Sequence, residues 1–234
     1  EVPVTVNPEH KMLTDPFLQL PTENSVNVVW FTNFEGTAHE LHYGDSSTTD
    51  VTTTALTRMM EDASSSVTGV TYEEVTYRNV YRHEATATGL TQGERVNYYV
   101  SSTDDDGFDF TSEQFTLAPA PAEGQAIKIL LTSDLQSKKN VVANYQKVVE
   151  TVGTPDAVLF AGDFVNVPDR ASEWFDQAKD NAPAFFPALQ GHYQAYMPGF
   201  PYNGGEILQH APLFGTIGNH EVMGRYMPDE EGYS

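Results

Sequence analysis

The sequence contains no cysteine, and this absence excludes several kinds of chemistry at once. Without cysteine there are no disulfides, no thiolate metal sites and no cysteine nucleophile, so any metal must be held by oxygen or imidazole ligands. Basic residues are also few. Only 12 Lys and Arg stand against 33 Asp and Glu, for a formal net charge of −21. A surface this negative repels nucleic-acid phosphates and anionic lipid, so neither is expected as a partner.

Long apolar runs are missing as well. No stretch approaches the roughly 20 consecutive apolar residues that a transmembrane helix needs, so no membrane span is expected. No signal peptide is visible at Glu1, which suits either a cytoplasmic protein or a processed one. The acidic composition fits a surface adapted to a salty medium or an ordinary soluble secreted surface, and both interpretations stay open.

The sequence does contain a clear change of pattern near residue 120. Before it, short alternating segments separated by turn residues predict an all-β sandwich domain over residues 1–118. In one of these segments Val26, Val28 and Trp30 share a strand face, and Trp30 is expected in the core. Residues 119–125 follow as a linker, because the segment is rich in proline and alanine and has no large apolar side chain.

After the linker, strands and helices are predicted to alternate. Apolar runs at 127–132 and 157–161 indicate strands covered on both faces. Between them, apolar residues recur at helical spacing over 141–152, and a third strand is predicted at 213–217. A second helix over 171–180 completes the order β-α-β-α-β. This order predicts parallel strands joined by right-handed crossovers, as part of an incomplete α/β domain that comprises the rest of the chain from residue 126 to residue 234.

A polar cluster follows each of the three predicted strands. These clusters are SDLQ at 133–136, GD at 162–163 and GNHE at 218–221. The carboxyl ends of parallel strands meet at one sheet edge, so the clusters should converge although they are far apart in sequence. Aspartate and asparagine offer hard oxygen donors, and one carboxylate can bridge two cations. Two divalent ions about 3.5–4 Å apart can clamp the oxygens of a phosphoryl displacement, and a histidine can protonate the leaving alkoxide.

The blocks TSDLQ, AGDFV and GNHE, in this order, resemble the first three blocks of the calcineurin-like metallophosphoesterases. The preceding domain resembles the fibronectin-III-like N-terminal domain of the purple acid phosphatase branch, through VNVVWFT, LHYGD and TATGLTQGERVNYYV. The resemblance implies hydrolysis of phosphate mono- or diesters by a two-metal centre, with a metal-bound hydroxide as nucleophile. That branch is typically exported, so an extracellular, periplasmic or cell-surface location is expected.

The same resemblance implies a role for each matching residue. Asp134 would bind the first metal, and Asp163 would bridge both metals. Asn219 would bind the second metal and approach the phosphate, and His220 would act as leaving-group acid or transition-state stabiliser. The metals stay open among Fe, Mn, Zn, Mg and Ca, and the expected partner is a phosphate ester substrate.

Three departures from the family pattern matter. Gln136 stands where the wider family has a histidine ligand. Its carbonyl oxygen would suit harder metals such as Mg, Mn or Ca, or it would not ligate at all. Asn166 stands where purple acid phosphatases have a tyrosinate, so the iron–tyrosinate chromophore should be absent. The later histidine blocks do not occur before Ser234. We therefore expect a fragment, a catalytic domain completed by a second chain or a missing C-terminal segment, or a degenerate site, and the chain alone could be inactive.

Two other functions stay open. The departures also suit a non-catalytic binding or structural subunit built on a degenerate fold, and the sandwich domain could instead mediate adhesion or assembly.

A turn around Asp104 and Asp106 imitates part of a calcium loop, but its flanks are strands, which favours a simple hairpin. The aromatic loop at 191–205 could line a substrate entrance, pack on the surface or contact a partner. His192 and His210 have no spacing that supports ligation.

Overall fold

The structure is a computed structural model that describes residues 10–65, 67, 70–176, 183–196, 199 and 201–222. Its contacts divide the chain into two units, each with segments that are separate in sequence. The first unit contains Glu1–Thr57, Asn79–Ile127 and Leu208–Pro212, and the second contains Arg58–Arg78, Lys128–Ile207 and Leu213–Ser234. Residues 58–78, which lie inside the predicted sandwich region of the sequence, thus belong to the second unit.

The described residues of the first unit form two antiparallel sheets. One has the strand order β1-β2-β8-β5, and the other has the order β10-β9-β3-β4 with β11 also paired to β9. The strands are β1 Phe17–Gln19, β2 Ser25–Thr32, β3 Ala38–Tyr43, β4 Ser46–Thr48, β5 Thr52–Ala55, β8 Tyr81–Thr88, β9 Val96–Thr103, β10 Asp109–Thr111 and β11 Phe115–Leu117.

The core of this unit explains why alternation predicted its strands. Val28 and Trp30 of β2 are fully buried in one apolar cluster with Tyr98 of β9, so the predicted core position of Trp30 is confirmed. The indole N–H of Trp30 donates to Ser102 Oγ at 2.9 Å, which satisfies its one polar group inside the core.

Residues 71–83 alternate in sequence as a strand would, but they form strand only in part. Only β7 Thr76–Tyr77 and the start of β8 are strands there, and β7 pairs with β6 Met60–Glu61 in the second unit. Val75 and Tyr77 are exposed, so the alternation of Val, Thr and Tyr in this segment does not reflect a buried face.

The second unit is built on a parallel sheet, as predicted, and its strands lie in the order β12-β13-β14. Its strands are β12 Ile129–Thr132, β13 Ala157–Phe160 and β14 Leu213–Gly215. Helix α1 Val141–Val152 joins the first two strands and buries Val142 and Tyr145. It ends at Gly153, whose φ of +73° is a conformation that glycine adopts readily.

Among the described residues between β13 and β14 there are three short helices. They are α2 Ala171–Phe175, α3 Phe185–Leu189 and α4 Tyr193–Tyr196. The predicted helix at 171–180 is confirmed as far as Phe175, and residues 177–180 lie outside the described part of the chain. An aromatic cluster covers one face of the sheet here, because Phe160 stacks on Phe164 with ring centroids 4.4 Å apart and meets Phe185 edge-on at 5.5 Å.

The opposite face of the same sheet is exposed, which corrects the prediction that its strands are covered on both faces. Leu131, Leu159 and Phe214 occupy one row across the three strands and are 71%, 38% and 40% exposed. An apolar run in sequence indicates a strand whose two faces can both be buried, but it does not show what would cover them.

Candidate active site

The second of the predicted blocks forms the centre of the site. Gly162 has φ +81°, and a Cβ atom there would come within 2.5 Å of the backbone nitrogen of Gly218. The turn after β13 is therefore in backbone contact with the turn after β14, and only glycine allows this approach. Asp163 follows with φ +57°, a left-handed conformation that aspartate tolerates better than most residues, and its side chain is buried.

Both carboxylate oxygens of Asp163 accept hydrogen bonds from the other two blocks. Oδ1 accepts the backbone N–H of His220 at 2.9 Å, and Oδ2 accepts the Nε2 amide of Gln136 at 2.9 Å. A Cβ atom at Gly218 would stand 2.3 Å from Oδ1, so this glycine is required for the carboxylate to fit. The structure thus brings the three predicted blocks together around a single carboxylate.

Glu221 is a residue of the candidate site to which the sequence assigned no role. Its carboxylate accepts hydrogen bonds from the backbone N–H groups of Asp163 at 2.8 Å, Phe164 at 2.9 Å and Gly218 at 2.8 Å. It therefore ties the turn after β13 to the turn after β14. The only sequence signal was its place as the last residue of the GNHE block, and that position does not reveal which donors it would meet.

The first block reaches the same place through its backbone. Asp134 has φ +52° and donates its N–H to the carbonyl of Gly162 at 3.2 Å, while Gln136 donates its N–H to the carbonyl of Phe164 at 3.2 Å. Asp134 itself is exposed, so its carboxylate is accessible from solvent. Asn219, in the third block, is exposed as well.

These residues fit a hard metal ion in part. Asp134, Asp163 and Asn219 offer carboxylate and amide oxygens from three joined loops, which is the donor type that Mg²⁺, Mn²⁺ or Ca²⁺ prefers. Gln136 turns its amide N–H end, not its carbonyl oxygen, towards Asp163. In this arrangement Gln136 is a donor that holds the carboxylate, and its role as a metal ligand stays a prediction.

His220 is oriented by a backbone carbonyl. Its Nδ1 lies 2.9 Å from the carbonyl oxygen of Asn166. A carbonyl only accepts hydrogen bonds, so Nδ1 must carry the proton, and Nε2 is the nitrogen that can exchange a proton with a substrate. Asn166 also donates its side-chain amide to the carbonyl of Gln136 at 3.1 Å. The residue at the tyrosinate position of the family pattern is therefore a hydrogen-bonding junction here.

The remaining sequence candidates lie elsewhere or have structural roles. The ring of His210 bonds the hydroxyl of Thr116 at 2.9 Å within the first unit. In the loop at 191–205, Tyr193 is buried, and its burial raises its pKa to about 12, whereas Tyr202 is exposed. Phe200 and the side chain of Tyr196, which were also candidates for the substrate entrance, lie outside the described residues.

The suspected calcium loop is a turn between β9 and β10. Asp104 accepts hydrogen bonds from the N–H groups of Asp106 and Phe108, both at 2.9 Å, and Gly107 has φ +85°. Within the described residues, His10, Asp104 and Asp106 form the one set of three His, Asp or Glu side chains close enough to share a cation. Because Asp104 is already bonded to His10 and to two backbone donors, this cluster is explained by the turn.

Within the described part of the chain, none of the helices is long and apolar enough to cross a membrane.

Two family models match the chain in succession. Residues 14–117 match the purple acid phosphatase N-terminal domain, and residues 127–234 match the calcineurin-like phosphoesterase. No curated protein matches the chain. The predicted resemblance and the fold class, a β-sandwich followed by an incomplete metallophosphoesterase domain, are thereby confirmed.

Among solved structures, the chain is similar to the purple acid phosphatase PPD1 from yellow lupin (Lupinus luteus) seeds, with a TM-score of 0.54 and 15% identity. The match covers 88% of this chain and 35% of that one, and at this identity it shows the fold alone. A bromine derivative of BhCBM56 has a TM-score of 0.24 at 15% identity, covering 46% of this chain and 96% of that chain. A family 123 glycoside hydrolase from Clostridium perfringens has a TM-score of 0.20 at 10% identity, covering 75% and 40%. These last two scores are too low to indicate a shared fold.

Proposed function

We propose that this chain, which joins a purple acid phosphatase N-terminal domain to a calcineurin-like phosphoesterase domain, is part of an enzyme that hydrolyses phosphate mono- or diesters with a two-metal centre. One observation carries the proposal. The buried carboxylate of Asp163 lies where three strand-end loops meet, and Gln136 and His220 hold it from opposite blocks. Buried carboxylates are rare unless they are paired or bind metals, and this one is built into a loop junction.

In this proposal Asp134, Asp163 and Asn219 hold the metal ions, with Asp163 shared between them. Bound metal ions would neutralise the charge of the phosphate and activate the attacking water. Gln136 keeps the shared carboxylate oriented through its amide N–H. His220 acts in its protonated form: Nδ1–H stays bonded to the carbonyl of Asn166, and Nε2–H gives its proton to the leaving oxygen, which leaves the neutral Nδ1–H ring.

The exposed row of Leu131, Leu159 and Phe214 supports a further part of the proposal. A parallel sheet is normally covered on both faces, and this row is an apolar surface on the uncovered one. We propose that it is covered by a further segment of the catalytic domain, carried on a longer chain or on a second chain, which would also supply the remaining metal ligands. The chain spans about a third of the lupin phosphatase, which is consistent with this arrangement.

Export from the cytoplasm is part of the same proposal. It is supported by the resemblance to the purple acid phosphatase branch. Fractionation of the source cells, with detection of this chain by mass spectrometry, would test it, and recovery only with cytoplasmic proteins would contradict it.

The test of the function is hydrolysis by the intact protein in the form that its source produces. Nitrophenyl phosphate and bis-nitrophenyl phosphate distinguish monoesterase from diesterase activity, assayed with Mn²⁺, Mg²⁺, Zn²⁺ or Fe supplied in turn. Asp163→Asn should abolish the activity, and Glu150→Gln, an exposed change on α1, should leave it unchanged. No hydrolysis with any metal, together with no metal binding, would instead favour the binding-subunit interpretation, for which the donor role of Gln136 is the supporting observation.

A further inference from the structure

A buried carboxylate lies directly behind the candidate site. Glu173 is 5% exposed, and its Oε2 accepts the N–H groups of two successive residues, Asn166 at 2.6 Å and Val167 at 3.1 Å. Its Oε1 accepts Nη1 of Arg170 at 2.9 Å. Both oxygens only accept hydrogen bonds here, so a carboxylate satisfies every partner, whereas an amide would place its NH₂ group against one of these donors.

The second of these bonds links Glu173 to the histidine of the candidate site through a single peptide group. The N–H of Val167 and the carbonyl of Asn166 belong to the same planar peptide, with the N–H on Glu173 and the carbonyl on Nδ1 of His220 at 2.9 Å. In a trans peptide these two groups point in opposite directions, so fixing the N–H also fixes the carbonyl. The orientation of the His220 ring is therefore set from Glu173, and hydrogen bonds in such a chain strengthen one another.

Glu173 is itself held by residues from an earlier part of the sequence. Nη2 of Arg170 bonds both oxygens of Asp62, at 3.0 and 3.1 Å. Next to this pair, Glu61 accepts the N–H of Ser172 at 2.7 Å and its hydroxyl at 2.8 Å. All four side chains are buried. Two residues of the 58–78 segment thus fix the start of α2, where Glu173 lies.

We propose that Glu173 is a positioning residue for His220, that it acts through the 166–167 peptide, and that Asp62 and Arg170 hold it in place. The part of this claim that concerns hydrolysis rests on the proposed function, while the orientation of the ring does not. In this proposal the 58–78 segment supports the site, because its Asp62 helps to hold Glu173. It also gives Asn166 a role in place of the tyrosinate, because its backbone carbonyl, rather than its side chain, serves the histidine.

The direct test measures the tautomer of His220 by ¹⁵N nuclear magnetic resonance in the intact protein, without added metal and at a pH where the ring is neutral. In the wild type the Nδ1–H form should dominate. Glu173→Gln should shift the ratio towards the Nε2–H form by about fivefold, the equivalent of one neutral hydrogen bond. Glu150→Gln, the same substitution at an exposed position, should leave the ratio unchanged. An unchanged ratio in a folded Glu173→Gln protein would overturn the proposal.

A second variant covers the case in which Glu173→Gln does not fold. Asp62→Asn keeps one oxygen for Arg170, and we expect a smaller tautomer shift in the same direction. No shift in this folded variant would count against the proposal in the same way.

The kinetic test is a double-mutant cycle with His220→Ala. Glu173→Gln should lower kcat about tenfold with KM unchanged, and it should lower kcat no further once His220 is replaced. An equal loss in both backgrounds would overturn the proposal. A wild type without activity would refute the proposed function, and the tautomer measurement would still decide the role of Glu173.

Discussion

The carboxylate of Glu221 accepts the backbone N–H of Asp163 at 2.8 Å, although the two residues are 58 positions apart in the chain. It also accepts the N–H groups of Phe164 and Gly218, so one side chain satisfies three donors that strand pairing leaves unused. Loops at the ends of parallel strands lack the backbone hydrogen bonds of strand pairing. A carboxylate that accepts several of their N–H groups can satisfy those donors instead.

We expect Glu221→Gln to loosen this junction. One NH₂ group would then face backbone donors, and the free energy of unfolding of the second unit should fall by about 1–3 kcal/mol. Amide hydrogen exchange is the measurement, because exchange at Asp163, Phe164 and Gly218 should accelerate in the variant. Glu150→Gln is the matched control. Unchanged exchange at these three amides would show that Glu221 does not hold the junction.

Metal affinity should depend strongly on Asp163 and only weakly on Gln136, which is hydrogen-bonded to it. Asp163→Ala removes the carboxylate that we propose is shared between metals, and no Mn²⁺ binding should be detectable. Gln136→Ala removes only a donor to that carboxylate, and the affinity should fall by at most about tenfold. Isothermal titration of the intact protein with Mn²⁺ distinguishes the two. If both variants lose binding equally, Gln136 is a ligand after all.

If a further segment covers the exposed row of the parallel sheet, a substitution in that row should destabilise a longer protein more than the 234-residue chain. In the 234-residue chain Leu131 is 71% exposed, so Leu131→Ala should change the free energy of unfolding by less than about 0.5 kcal/mol. In a protein that includes a covering segment, the same change should cost about 2–5 kcal/mol. Val158→Ala, on the buried face of β13, should destabilise both forms. Denaturation of the two lengths is the measurement, and equal small effects of Leu131→Ala would argue against a cover.

Features that depend on residues close in sequence could be predicted, whereas most of those that depend on distant residues could not. Alternation over β2 and helical spacing over α1 are local signals, and both elements lie where they were predicted. The convergence of the three blocks was also predictable, because parallel strands present their carboxyl ends at one edge. Asp163, Gln136 and His220 do meet there.

The support of the site was not predictable, because it depends on partners distant in sequence. Nothing near Glu173 indicates that Arg170 will meet Asp62, 108 residues earlier. Exposure of Leu131 could not be predicted either, since an apolar strand has the same sequence whether or not its second face is covered. In both cases the missing information lies in tertiary contacts, which residue type and spacing do not encode.

The first unit carries a histidine that should make its stability depend on pH. His83 is fully buried on β8, where Nε2 bonds the hydroxyl of Thr32 at 2.8 Å and Nδ1 bonds that of Thr53 at 2.9 Å. The ring of His39 lies 3.9 Å away. Burial, and to a smaller extent the neighbouring His39, lower the pKa of His83 from 6.5 to about 3.

This depressed pKa means that acid should destabilise the first unit. As the pH falls, the unfolded chain, with its histidine near 6.5, takes up a proton before the folded protein does. The contribution of the neutral His83 to the free energy of unfolding is therefore fully present above pH 6.5. It is lost as the pH falls towards 3, by up to about 1.4 kcal/mol per pH unit. His83→Gln, which stays neutral, should remove this slope at some loss of stability at pH 7. Urea unfolding followed by tryptophan fluorescence between pH 4 and 7 measures both proteins, and since their carboxylates are identical, the difference between the slopes isolates His83. Parallel slopes would mean that the folded protein accommodates a charged histidine at this position.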